Sequence, residues 1–372
     1  MDNAQGAGDG WTKAKSYATA LGFVPSSFST SIRTMVSDHI KNEASLKPVT
    51  KYQVSRLTQG PSFKSMFFFA SQQLRHGYIK DQKSLSIGTM LDLYDAFDIA
   101  VMVGCFLMVR KWRKFVGTDK WNSFFQQCSV ESQMGAQVGI VVPEIGLGSA
   151  FLMSTFEYLT LGAILKQDEK LVTRYLKQRK ESPSREKLQQ EIFGCSLHQV
   201  STLLLCNLGY GADIASAYCF ALDPKRALDS DENGFLARMQ VSRLWIEALM
   251  AGKPQPDKKL SAKFFPMESV RGELDRNIGQ IREGLPHWIG RGKDDISPTA
   301  TPQLFAKPEK GDSEIPPELQ AVFSVDEISN MDVDAFDQLI DQLDYEKDGG
   351  KPPAGMVVMS AKDLKEIDGI VE

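Results

Sequence analysis

The feature that most limits how this chain folds is the stretch EIFGCSLHQVSTLLLCNLGYGADIASAYCFALDP, residues 191–224, where apolar residues recur at helical spacing. Leu197, Val200 and Leu204 fall at i, i+3, i+7, and Ile214, Ala217, Tyr218 and Ala221 fall at i, i+3, i+4, i+7. Gly209 and Gly211 lie between the two patterns, and glycine reaches the backbone conformations that end one helix and admit the next. Asp213 follows where an acidic side chain favours a helix start. The spacing predicts two short helices around a tight turn. Helical patterning continues nearly throughout residues 11–290, and strand-like alternation is confined to Gly139–Val142, so an all-α helical bundle is expected.

The same stretch resembles the HDOD domain, an all-helical relative of the HD phosphohydrolases. Glu191, Gly194 and His198 match the opening of that family's pattern, and Asp223-Pro224 matches its close. The two histidines that usually end it are replaced by Ala221 and Leu222. Upstream, Gly60-Pro61 and Ala70-Ser71-Gln72 resemble the family's Asp-Pro helix running into Ala-Asn-Ser. Residues 121–166 follow the next family pattern, with small residues around Ser132 and Ala136 and then Ala150-Phe151-Leu152. The His-Asp pair of catalytic relatives falls on Glu157-Tyr158, and the earlier family histidine falls on Gln127 or Cys128. The resemblance covers residues 27–225. It implies an HDOD-like helical domain there, an N-terminal extension at 1–26 and additional helices packed on the core at 226–295.

That resemblance implies a remnant pocket at Gln127, Cys128, Glu157, Tyr158, His198, Ala221 and Leu222, stripped of its metal chemistry. Alanine and leucine carry no lone pair for a metal and no proton to move. The chain has four histidines, His39, His76, His198 and His287, and none precedes an aspartate. An HD hydrolase needs several His and Asp ligands on one metal that polarises phosphate and acidifies bound water. Neither a catalytic residue nor a metal nor a cofactor is therefore expected. Glu157, in the apolar stretch from Phe151 to Leu165, has two readings: a ligand contact, or a carboxylate that is paired or at the rim. His198 among Leu197, Val200 and Leu203 reads as a packing histidine. Cys195 and His198 stand at i, i+3, but no CxxC accompanies them.

The five cysteines, Cys105, Cys128, Cys195, Cys206 and Cys219, are odd in number and lie mostly in apolar contexts, which suits a reducing cytoplasm. Met1–Gly10 is acidic and Gly-rich, unlike a signal peptide. The longest apolar run, Ile99–Val109, is too short to span a bilayer and reads as a buried helix. Arg110, Lys111, Arg113 and Lys114, interleaved with Trp112 and Phe115, read as a solvated helix end or as a phosphate-binding patch. No P-loop, HExxH helix or GxSxG elbow occurs, and Gly209-Tyr210-Gly211 lacks a dinucleotide loop's third glycine.

From Asp294 onward the chain carries 19 acidic and 6 basic residues, a net charge of −13 against +9 for residues 1–293. Five prolines between Ser297 and Glu318 oppose regular structure, and residues 296–372 are expected to be a disordered acidic tail. Within it, Phe336, Leu339, Ile340 and Leu343 repeat at helical spacing while Asp334, Asp337, Asp341 and Asp344 fall elsewhere on the wheel. A short acidic amphipathic helix at 333–345 needs a groove to be stable, on its own body or on a partner.

These expectations converge on a non-catalytic bacterial signalling or regulatory protein of the cytoplasm, acting through protein–protein contacts on an HDOD-like scaffold. The partner is a signalling or regulatory protein, with a small nucleotide as a further candidate for the remnant pocket. One alternative is a divergent metal-dependent HD-type phosphohydrolase. Another, less favoured, is a nucleic-acid-binding regulator using residues 110–115.

Overall fold

A computed structural model describes residues 3–41, 45–58, 60–79, 85–179, 182, 184–299 and 304. Among these the fold is all-α, with no strand. In chain order the helices are α1 (Asn3–Ala18), α2 (Ser26–Lys41), α3 (Pro48–Leu57), α4 (Pro61–Leu74), α5 (His76–Ile79), α6 (Ile87–Leu91), α7 (Ala96–Val116) and α8 (Thr118–Val141). They continue with α9 (Leu147–Gln167), α10 (Glu169–Gln178), α11 (Arg185–Phe193), α12 (Leu197–Leu208), α13 (Ala212–Ala221), α14 (Phe235–Met250) and α15 (Glu268–Arg282). The alternating stretch at 139–142 finishes α8, where the helix's own hydrogen bonds outweigh a four-residue pattern.

The described residues divide into two compact units. One holds residues 3–26 and 107–285, the other residues 27–106 and 286–299. Helix α7 contributes to both, changing unit after Phe106. This division does not follow the 27–225 boundary drawn from the sequence pattern.

The first unit is built on the α8–α9 hairpin. Ser132 meets Thr155 at 2.6 Å between hydroxyls, and Ser154 donates to the Ser132 carbonyl, so the two helices run antiparallel. Their close approach depends on glycine: a Cβ on Gly139 would lie 2.6 Å from the Gly146 carbonyl oxygen and from Leu147 Cα. Helix α9 is the only described helix long and apolar enough to cross a membrane, but 94% of its apolar window is buried inside the fold, which makes it a core helix. Its exposed apolar potential is covered by α8, α12, α13 and α14. Helices α14 and α15 close a second core beneath α8, with Trp245, Leu249, Leu274, Ile278 and Ile281 packed against Met134, Val138 and Val142.

Residues 3–26, expected as an extension, form α1 and a 3-10 turn at Thr19–Leu21 that pack on α12 and α9. Trp11, Ala14, Tyr17 and Ala18 are buried, and Tyr17 donates a hydrogen bond to the Phe193 carbonyl at 3.3 Å. In the second unit Phe63, Phe67 and Phe69 of α4 fill the core, Phe63 meeting Phe106 edge-on at 5.1 Å. The Arg291 guanidinium stacks 3.6 Å from the Phe69 ring, tying residues 286–299 to α4.

Candidate functional site

The predicted helix pair is present as α12 and α13. Ser196 caps α12 with its hydroxyl on the Gln199 amide while Gln199 reaches back to the Ser196 backbone, satisfying two amides with no helical partner. Gly209 ends α12 in the left-handed region at φ 101°, where a side chain would be strained. Leu204 is fully buried, and Ser201 shares a 2.8 Å hydroxyl contact with Thr160 of α9.

Three of the residues singled out from the sequence come together on the other flank of α9. Tyr158 is buried and donates to Glu131 Oε2 at 2.5 Å. Arg179, at the end of α10, donates to the Tyr158 hydroxyl at 3.2 Å and lies 3.9 Å from Glu157 Oε1. The Tyr175 hydroxyl stands 3.5 Å from Glu157 Oε1 and accepts from Gln189 at 3.1 Å, while Gln189 Oε1 accepts the Leu197 amide at 2.9 Å. Cys128 is buried next to this group, its thiol donating to the Phe124 carbonyl. Gln127 sits one residue earlier on α8. The network thus joins α8, α9, α10, α11 and the start of α12.

Two carboxylates share one close guanidinium here, in a setting only partly open to water: the side chains of Arg179 and Glu157 are 19% and 23% exposed. Burial and then the neighbouring Glu157 raise the pKa of Glu131, against the lowering effect of the Tyr158 hydroxyl, Arg179 and Arg185. Burial pushes the Tyr158 and Tyr175 phenols up and Cys128 well up, so all three are neutral near pH 7. Of the two readings of Glu157, the structure gives the ion-paired one.

His198, Ala221 and Leu222 belong to a different neighbourhood. His198 is half-buried on α12; burial lowers its pKa, and the charges of Glu186 and Asp223 oppose that. Ala221 is fully buried and Leu222 half-buried at the end of α13. Among the described residues no group of three His, Cys, Asp or Glu side chains could hold a metal ion, and the donors present do not fit one. Burial pushes Cys195 up to about 12 and Cys206 and Cys219 up to about 11, which leaves them as thiols and poor nucleophiles. Phe336, Leu339, Ile340 and Leu343, and the tail around them, lie outside the described residues.

The basic run on α7 is divided by the helix. Lys111 is 1% exposed and donates to the carbonyls of Leu21 at 2.9 Å and of Phe23, while Lys166 of α9 donates to the Ala20 carbonyl at 3.2 Å. Two ammonium groups thus cap the carbonyl end of the 3-10 turn, the negative pole of a helical segment. The expectation of a solvated helix end holds for Arg113 and Lys114, which are exposed, and fails for Lys111, which turns with Trp112 into the core. Glu131, Tyr175 and Arg179 escaped the sequence reading. None of the three carried a local signal, since Glu131 lies in the polar run QQCSVESQ and Tyr175 and Arg179 lie in the charged helix EKLVTRYLKQR. No family model, curated protein or solved structure matches the chain.

Proposed function

We propose that this chain is a non-catalytic regulatory protein on an HDOD-like scaffold, working in bacterial signalling through contacts with a protein partner. The observation that carries this reading is the use made of Glu131 and Glu157. Glu157 falls where the resemblance implies a metal-binding residue, yet it pairs with Arg179, which also donates to Tyr158, and nearby Glu131 accepts from Tyr158. A carboxylate held by an internal guanidinium suits a structural role better than metal binding. Five buried free cysteines suit a reducing cytoplasm.

The enzyme alternative is tested on the full chain by metal analysis and phosphodiesterase assay. Stoichiometric iron, manganese or zinc together with turnover of a phosphoester would overturn the proposal. The partner is sought by affinity capture with the full chain under near-physiological salt, where a specific regulatory protein should be recovered reproducibly.

A further inference from the structure

Helix α1 is held unevenly along its length. Its first half carries Gly6, Gly8 and Gly10, and glycine is the poorest helix former after proline, so a 16-residue helix of this composition is unstable in isolation. It forms because its second half packs: Trp11, Ala14, Tyr17 and Ala18 are buried, chiefly against α12. Just past its end the chain is clamped through its carbonyls, Lys166 of α9 donating to Ala20 at 3.2 Å and Lys111 of α7 to Leu21 at 2.9 Å and to Phe23. The segment is thus fixed at its root and weak at its tip. Beneath it lies the junction of α11 and α12. The Tyr17 hydroxyl donates to the Phe193 carbonyl, Lys13 Cγ lies 3.5 Å from where a Cβ on Gly194 would stand, and the next residue, Cys195, is fully buried.

We propose that α1 is a strap that lifts from α12 while its root at Ala20–Phe23 stays clamped, alternately covering and uncovering the α11–α12 junction with Cys195. Lifting breaks the hydrogen bond from Tyr17 to Phe193 and the 2.7 Å bond from Gln167 to the Ser16 carbonyl, and it bares one apolar helix face. The α8–α9 hairpin and the core beneath α8 are untouched, so this opening costs less than unfolding the unit. Closed, the strap keeps a face of α12 and a thiol out of reach; open, it presents both. The motion needs neither a partner nor the Glu157 network, so its failure would leave the functional reading standing.

Alkylation of the native full chain with iodoacetamide, resolved cysteine by cysteine through peptide mass, tests this. In the closed state burial pushes the Cys195 thiol up to about 12, so near pH 8 its labelling reports opening. Cys128, buried in the same unit away from the strap, reports unfolding of the unit as a whole. Cys195 should label at least about tenfold faster than Cys128. Tyr17→Phe, which removes the bond to Phe193, and Trp11→Ala, which removes packing on α12, should each raise the Cys195 rate several-fold and leave the Cys128 rate unchanged. Equal rates for the two cysteines would overturn the proposal, as would substitutions that speed both together or neither. Hydrogen exchange checks it without substitution: the amides of residues 11–18 should exchange ahead of those of α9, and equal protection would show that α1 opens only with the whole unit.

Discussion

Arg179 shows how much one side chain decides in this molecule. It closes a network in which Tyr158 donates to Glu131 while the guanidinium itself meets both the phenol and Glu157. Arg179→Met keeps the aliphatic stem but leaves two half-buried carboxylates facing each other. It should cost about 1–3 kcal/mol in denaturant unfolding, the range for charged hydrogen bonds with partial solvent screening. A loss below about 0.5 kcal/mol would show that water satisfies the carboxylates as well as Arg179 does. Glu131 adds a pH signature. Its folded pKa is raised from the ordinary 4.5, so its contribution to stability is fully present below the unfolded value and is lost as pH rises through the raised one. Glu131→Gln, which cannot ionise yet still accepts from Tyr158, should therefore gain on the parent protein as pH increases from about 4.5 to 7. Paired unfolding curves at several pH values check the slope, and a gap that shrinks over that range contradicts the assignment. The sequence pointed to Cys128, Glu157 and Tyr158 but not to their partners. Arg179 lies 21 residues from Tyr158 and Glu131 lies 27, and only the packing of α8, α9 and α10 brings them within reach.

At the scale of elements, what was legible was whatever repeats within one helix. The α12–α13 pair was visible because its apolar periodicity, its two glycines and its acidic start all lie within one stretch. Helix α9 was harder to see, since it is apolar on nearly every side and interrupted by Ser154, Thr155 and Thr160, whose hydroxyls bond within the core. Counting unbroken apolar residues favoured α7 instead. Two substitutions separate packing from surface. Leu204→Ala, in the fully buried seam of α12, should cost about 2–5 kcal/mol. Lys187→Ala, on the exposed side of α11, should stay within about 0.5 kcal/mol. Equal costs in equilibrium unfolding would mean that α12 is misplaced. Gly139→Ala probes the hairpin directly. The added methyl meets the Gly146–Leu147 backbone, which cannot rotate away as a side chain does, so a loss of at least about 1–3 kcal/mol is expected in spite of alanine's better helix propensity. A stabilised variant would show that α8 and α9 lie farther apart.

For the whole molecule, the division into units departs from the boundaries suggested by the family pattern because the contacts that define a unit are distant in sequence. Lys111 reaches back to Leu21, and Gln73 donates to the Pro286 carbonyl across more than two hundred residues. No local periodicity encodes such pairings. Charge distribution, by contrast, is readable from the chain alone, and it separates an acidic segment from a basic body. The apolar residues of that segment carry a distinct prediction, since they have no part in attraction between charges. A segment of this kind gains ordering energy by burying large side chains, so truncating two anchors removes most of its apolar contact area. Phe336→Ala with Leu343→Ala in the full chain should leave thermal unfolding of the helical body unchanged and weaken affinity capture of the partner severalfold. If capture survives intact, the apolar face has no part in partner binding, and partner recognition belongs to the folded helices instead.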